Sequence, residues 1–238
     1  MGGRAEAATV GDIVYVKELG GDGVMRLPIF PLAGALLFPR TQLPLHIFEP
    51  RYRAMVRDAL AGDKLIGMVQ PRAPSEDLGA SVRDQPPPLF EVGCLGRIAG
   101  SEAMDDGRYN IVLEGLGRFR ILAEPRVETP YRQVDAQNGG FGDEDEIEPL
   151  GIAQRAEIER EARLYADALG YAVDWASVEN LDDEMLVNGI AQIAPFDTGS
   201  KQALLEAATI AERCELLVQF MQFQRMLPGG AEGTETMQ

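Results

Sequence analysis

The chain is poor in the residues that form covalent cross-links and thiolate metal sites. Cys94 and Cys214 are its only cysteines, and they show no paired spacing, so we expect neither a disulfide framework nor a cysteine-ligated metal. No run approaches the ~20 apolar residues that span a bilayer. The N-terminus also lacks the basic and apolar segments of a secretory signal. We therefore predict a cytoplasmic protein in a reducing compartment, with no membrane partner.

Positive charge is scarce in the second part of the chain. The formal net charge is −16, and residues 141–238 carry 6 Lys and Arg against 20 Asp and Glu, whereas residues 1–140 carry 16 against 18. A field of this sign repels nucleic-acid phosphates and anionic lipid. The charge therefore predicts no nucleic-acid partner. It favours either a partner with a basic or neutral face or a surface that only keeps the protein soluble.

Short strand patterns follow a polar, Gly-rich leader at residues 1–24, which itself has one possible strand at residues 13–16. The predicted strands are residues 27–32, 43–48, 64–70, 89–99, 109–113, 119–124 and 131–136. One amphipathic helix begins at Glu49-Pro50, and we expect Gly62 to end it as a left-handed cap. Closely spaced strands with a single helix predict a small β-barrel over residues 25–140.

The turns between these strands have their own signals. Asp105-Asp106-Gly107 predicts a hairpin turn. Gly115 and Gly117 stand between two predicted strands, which indicates a tight connection or a bulge. Residues 72–88 are polar and proline-rich, so we expect a long exposed loop there.

Strand signals end at an acidic linker over residues 141–150. Apolar residues at helical spacing then predict helices at residues 152–169, 182–194 and 201–226, the last as one long helix. Its stripe would suit a coiled coil, but we interpret it as packing within an α-helical bundle over residues 151–227, with Cys214 as a small buried hydrophobe. Residues 228–238 are expected to be a disordered tail. The predicted fold class is α+β, a barrel followed by a bundle.

Three sequence blocks carry a resemblance to a known family. The first runs from Leu-Pro-Ile-Phe-Pro-Leu at residues 27–32 to Leu-Pro-Leu-His-Ile-Phe-Glu-Pro-Arg-Tyr at residues 43–52. The second joins residues 93–98 to 113–120, and the third joins residues 201–206 to 211–217. In this order they resemble the N-terminal substrate-binding domain of the ATP-dependent Lon protease. The resemblance implies a PUA-like β-barrel followed by a helical bundle, and a protein that binds unfolded polypeptide or a protein partner.

The chain lacks the catalytic motifs that follow this domain in Lon proteases. A phosphate-binding loop needs glycines and a lysine at fixed spacing, and neither Lys64 nor Lys201 follows a glycine. A serine–lysine dyad needs a lysine held near an activated serine, whereas Ser200 and Lys201 are sequence neighbours that diverge at a helix start. We therefore predict a stand-alone, non-catalytic recognition module without a cofactor. Homo-oligomer formation is left open.

The candidate peptide-binding residues are Leu36, Leu37 and Phe38. They lie in an apolar stretch between prolines, and in a loop their side chains cannot all point into one core. An exposed apolar patch of this kind would mark a site for unfolded polypeptide or a partner. The alternative interpretation is that Leu36 and Phe38 anchor the barrel.

A rival function is a PUA-like barrel that binds RNA or a small molecule. Arg118 and Arg120 flank Phe119 and have the character of a nucleic-acid surface, against which the net acidic charge argues. His46, the only histidine, is interpreted as structural. The acidic residues 143–148 lack the ligand spacing and the central glycine of a calcium loop, so we interpret them as a solvated linker.

Overall fold

The computed structural model describes residues 24–72, 86–141, 143 and 148–226. The elements, in chain order, are β1 (Val24–Pro31), β2 (Gln42–Ile47), α1 (Pro50–Ala61), β3 (Leu65–Val69), β4 (Val92–Ala103), β5 (Tyr109–Ala123), β6 (Gln133–Asn138), α2 (Ile152–Leu169), α3 (Trp175–Val178), α4 (Asp183–Ile193), α5 (Thr198–Glu206) and α6 (Ile210–Met226). The predicted leader strand, most of the predicted 72–88 loop and the predicted tail lie outside the described residues. None of the described helices is long and apolar enough to cross a membrane.

The strands form one mixed sheet in the order β2-β5-β4-β3-β1-β6. The β1–β3 pair is parallel and the other pairs are antiparallel. Because β5 also pairs with β6, five strands form a closed circuit of hydrogen-bonded pairs, and β2 extends it from β5. The predicted hairpin turn is confirmed: the Gly107 N–H donates to the Met104 carbonyl (2.8 Å), between β4 and β5.

Residues 109–113 and 119–124, predicted as two strands, are parts of the single strand β5. The strand continues through Gly115 with an irregularity of the bulge type, because its register against β4 shifts between Leu95 and Gly96. An added Cβ at Gly115 would lie 2.0 Å from the Phe38 carbonyl oxygen. The missing side chain therefore lets the strand pass close to the 36–41 segment without losing its pairing.

Two apolar clusters stabilise the fold. The smaller cluster takes its buried residues from the five strands of the circuit, namely Leu27, Ile29, Val69, Leu95, Phe119, Val134 and Ala136. The larger cluster joins residues of the sheet and α1 to residues of α2, α4, α5 and α6. The strands and the C-terminal helices thus share one buried core, which positions the helices against the sheet.

Most of the predicted helix ends lie where the sequence places them. The first residue of α1 is Pro50, as predicted, and α2 has the predicted bounds, with Gly170 as a left-handed cap at φ 70°. The prediction for Gly62 is wrong: its φ is −115°, and Lys64 takes a positive φ of 62° instead.

The predicted helix over residues 201–226 is two helices, α5 and α6. The Thr209 hydroxyl accepts from the Glu212 N–H (3.1 Å), and the Glu212 carboxylate accepts from the Ala208 N–H (2.9 Å), so a new helix is capped at this point. Thr209-x-x-Glu212 is a capping-box pattern that the continuous apolar stripe concealed. Cys214 is buried on α6, as predicted, and burial raises the pKa of its thiol to about 11.

We expect Gly115→Ala to lower the free energy of unfolding by about 3 kcal/mol, because the added methyl group overpacks a site closed by backbone. Gly100→Ala is the matched control in β4. There the nearest atom to an added Cβ is 4.0 Å away, and we expect a change below about 1 kcal/mol. Urea denaturation measures both variants. Equal effects would contradict the close approach at Gly115.

Candidate functional site

Leu36, Leu37 and Phe38 are buried, so the prediction that they form an exposed apolar patch is wrong. They are 1%, 0% and 0% exposed, and they belong to the core that the sheet and the helices share. The Arg213 guanidinium of α6 lies 5.6 Å from the Phe38 ring centre. Consecutive apolar side chains are all buried here because the segment has the sheet on one side and helices on the other. Its burial supports the alternative interpretation, an anchoring role.

The residues after Phe38 attach the sheet to α4. Arg40 adopts a left-handed φ of 60° and donates to Asp182 (2.7 Å) and Glu184 (2.8 Å). Burial raises the pKa of Glu184, and the bond from Arg40 opposes this. Further along the helix, Asn188 donates to the Pro39 carbonyl (3.0 Å). These bonds use the backbone and side chains of the 38–42 segment for attachment, which leaves it unsuited to capture a ligand.

Arg118 is part of a buried network and not of a nucleic-acid surface. Its side chain is 3% exposed, and it pairs with Asp143 (2.8 Å). It also donates to the carbonyls of Leu205 (3.1 Å), Ala207 (2.6 Å) and Phe141 (2.7 Å). Asp143, interpreted from its sequence as part of a solvated linker, is therefore a largely buried partner. The guanidinium satisfies the carbonyls at the end of α5, where the predicted long helix breaks.

Two other buried cations lie at this sheet–helix boundary. Lys201 donates to the Gln192 carbonyl (2.9 Å) at the end of α4, and burial lowers its pKa. Arg213 donates to the Leu204 carbonyl (2.7 Å) and to Asn188, and burial lowers its pKa to about 10. Both cations face helix C-terminal carbonyls, which carry partial negative charge. They stabilise the boundary and are closed to solvent.

The remaining polar candidate, His46, lies on an exposed strand face. Its ring nitrogens contact Asn110 Oδ1 (2.7 Å) and the Arg108 guanidinium (3.1 Å). Among the described residues, no three His, Cys, Asp or Glu side chains are grouped so that they could hold a metal ion.

An open apolar cavity of about 200 Å³ lies between the C-terminal helices. We call it the helical groove. It is lined by Ala162, Tyr165 and Ala166 of α2, Tyr171 and Val173 of the following turn, Trp175 and Val178 of α3, Leu181, Met185, Leu186, Gly189, Ile190, Ile193 and Ala194 in and beside α4, and Met221 of α6. Apart from glycine, every lining residue has an apolar or aromatic side chain, so the groove offers hydrophobic contact and little hydrogen bonding.

The rim of the groove is exposed and its base is firmly packed. Ile193 is 74% exposed and Tyr171 is 53% exposed, which is unusual for large apolar residues beside one cavity. At the base, the Tyr165 ring lies 5.9 Å from the Phe196 ring between ring centres. Burial raises the pKa of Tyr165 to about 12, so the phenol stays neutral. Gly189 lies in the middle of α4, and an added Cβ there would meet no atom within 4 Å.

Comparison with known proteins assigns the family. A family model described as the ATP-dependent protease La (LON) substrate-binding domain matches residues 26–222. The chain belongs to the Lon substrate-binding domain family. The match spans the sheet and the C-terminal helices up to α6, including every residue that lines the helical groove.

Full-length Lon proteases are among the relatives of this Lon substrate-binding domain. Lon protease 2 of Myxococcus xanthus is 32% identical over 207 residues, which cover 84% of this chain and 24% of that protein. Lon protease of Anaeromyxobacter dehalogenans is 30% identical over 207 residues, which cover 84% of this chain and 23% of that protein. The chain thus spans about a quarter of the length of these curated relatives.

Two solved Lon N-terminal domains share the fold. A Lon N-terminal domain protein from Xanthomonas campestris matches with a TM-score of 0.59 and 21% identity, over 83% of this chain and 99% of that one. The N-terminal domain of Mycobacterium avium complex Lon protease matches with a TM-score of 0.61 and 17% identity, over 83% of this chain and 98% of that one. At this identity the likeness shows the fold alone.

The helical groove was missed in the sequence because its lining residues come from several elements. Helical spacing places Leu186, Val187, Ile190 and Ile193 on one face of α4. In the structure Leu186 and Val187 are buried, whereas Ile193 is exposed. The available signal was Gly189, since a mid-helix glycine is costly unless space or packing requires it.

We expect Arg118→Leu in this Lon substrate-binding domain to lower the free energy of unfolding by about 3–5 kcal/mol, because Asp143 and the α5 carbonyls lose their buried partner. Arg120→Leu is the matched control. Arg120 is 48% exposed and pairs loosely with Glu91 (3.6 Å), so we expect a change below about 1 kcal/mol. Chemical denaturation compares them, and similar costs would contradict the buried network.

Proposed function

We propose that this chain is a polypeptide-recognition module that captures apolar side chains of unfolded segments in the helical groove. The observation that most supports this proposal is the open cavity of about 200 Å³, with its apolar walls and the exposed rim residues Ile193 and Tyr171. Membership of the Lon substrate-binding domain family supports this function. The substrate-recognition role therefore moves from Leu36, Leu37 and Phe38 to the C-terminal helices.

The size of the cavity limits what it accepts. An apolar cavity of about 150 Å³ holds a benzene molecule, whereas clefts for drug-sized ligands span about 300–1,000 Å³. At about 200 Å³ the groove suits one large apolar side chain, such as that of Leu or Phe. A polypeptide presents such side chains singly along a chain, which suits this site better than a bulky cofactor.

The expected affinity of such a site is modest. Burying one Leu or Phe side chain is worth about 1.5–3 kcal/mol, which corresponds to about ten- to hundredfold in affinity. Binding through a single anchor is therefore weak and reversible, with further contacts along the rim. Weak capture suits a module that samples exposed apolar segments rather than one that holds a folded partner.

The β part has a supporting role in this proposal. The closed circuit of strand pairs supports our description of it as a PUA-like barrel. With Arg118 buried against Asp143, the pair of arginines that suggested RNA binding does not form a surface. We propose that the barrel positions the helices and that recognition lies with the helical groove.

Filling the groove tests the proposal. We expect Gly189→Leu to weaken binding of an unstructured peptide with one central Phe at least about tenfold, because the new side chain occupies the cavity. Gly189→Ala is the matched control and should bind nearly as the original chain does. Both variants should be at least as stable, since replacing a mid-helix glycine gains up to about 1 kcal/mol.

The fluorescence of Trp175 measures the binding. It is the only tryptophan in the chain and lines the groove, so a peptide without tryptophan leaves it as the sole reporter. Calorimetry measures the same binding without relying on Trp175. If a folded Gly189→Leu variant binds the peptide as tightly as the original chain does, recognition lies elsewhere and the proposal is contradicted.

A further inference from the structure

We infer that the helical groove selects apolar segments flanked by Arg or Lys over those flanked by Asp or Glu. This inference rests on the proposed function and adds the class of polypeptide that the groove accepts. Four carboxylates are neighbours of lining residues in the sequence: Asp167 follows Ala166, Asp174 lies between Val173 and Trp175, Glu179 follows Val178, and Asp182 follows Leu181. A chain entering the groove therefore meets negative charge beside its anchor.

The cations of the helical part are already engaged. Within the described residues 148–226, each Lys and Arg has partners in the protein: Arg155 pairs with Glu159 and Asp183, Arg160 and Arg225 pair with Glu161, Arg163 pairs with Glu179, and Lys201 and Arg213 are buried. No cation of this part is left to attract an acidic peptide.

Arg163 follows the lining residue Ala162 and is the one cation that neighbours a lining residue in the sequence. Two contacts within the protein engage it. Its guanidinium lies 4.5 Å from the Trp175 ring centre and 3.0 Å from the Glu179 carboxylate. Asp182 is likewise paired, with Arg40. Asp167 and Asp174 are exposed and make no ion pair with any described residue, so they are the carboxylates that we expect to give the rim its net negative charge.

Asp174 stays charged at neutral pH. Its carboxylate accepts from the Ser177 hydroxyl (2.6 Å) and the Ser177 N–H (3.3 Å), and these bonds lower its pKa. An ion pair between an exposed carboxylate such as Asp174 and an arginine of a bound peptide has a small effect on affinity, and salt weakens it. A peptide with an Arg on each side of its anchor gains two attractive contacts, and one with an Asp on each side gains two repulsive contacts. The difference in affinity between these two peptides is therefore large enough to measure.

The charge also separates this occupant from others. A second copy of this chain would bring another formal charge of −16 to an acidic rim, and nucleic acid would bring phosphates. A cationic, apolar segment is the occupant that complements both the cavity and its rim.

Three peptides test the inference, identical in a central Phe and flanked by Arg, Ser or Asp. Trp175 fluorescence should show the Arg peptide binding about tenfold more tightly than the Asp peptide at low salt, with the difference falling severalfold in high salt. Equal affinities for the Arg and Asp peptides would overturn the inference while leaving the proposed function intact. Failure of all three peptides to bind would overturn both.

Charge-removing variants locate the effect. We expect the double variant Asp167→Asn, Asp174→Asn to lose most of the preference for the Arg peptide and to bind the Ser peptide unchanged; Asn can still cap α3. The control, Asp63→Asn with Asp105→Asn, removes the same charge from exposed positions among the β elements and should keep the preference. A preference that falls equally in both variants would indicate overall charge rather than the rim, and would overturn the inference.

Discussion

The buried guanidinium of Arg118 is the interaction on which the arrangement of this protein depends. It extends from β5, pairs with Asp143 beyond the sheet, and binds carbonyls at the end of α5. Those bonds occupy carbonyls that a continuous helix would have used internally, so the chain breaks and α6 takes its own direction. Met221 of α6 lines the helical groove. A strand residue thus helps to position one wall of a cavity formed by helices.

Polar attachment and the proposed apolar recognition occupy different places. Between sheet and helices, buried polar groups such as Asn188, Lys201 and Gln202 bond to backbone carbonyls, which fixes one relative arrangement because an unmatched polar group would be costly there. The helical groove, by contrast, has no polar lining side chain apart from the Tyr and Trp rings. A cavity of that kind can accept varied apolar side chains, since hydrophobic contact is not directional.

Sequence reasoning predicted the elements well where local periodicity decides them, and less well where distant partners do. The bounds of α2 follow from its spacing and from Gly170, and the strands were mostly placed within a few residues. The break between α5 and α6 has a local signal in Thr209-x-x-Glu212, which the continuous apolar stripe concealed. It also has a distant partner in Arg118, more than 80 residues earlier in the chain, which no local pattern reveals. Burial of Leu36–Phe38 likewise depends on helices that come much later. The groove assembles from four helices and their turns, so no single pattern contains it.

The most direct test of this account is methyl NMR of the isoleucine side chains during titration with an unfolded, Phe-containing peptide. Ile190 and Ile193 line the helical groove, whereas Ile29, Ile66 and Ile111 are buried in the sheet. The account predicts shifts confined to Ile190 and Ile193, with the sheet isoleucines unchanged. Shifts centred on the sheet residues, with Ile190 and Ile193 unaffected, would contradict the claim that this domain recognises polypeptide through its C-terminal helices.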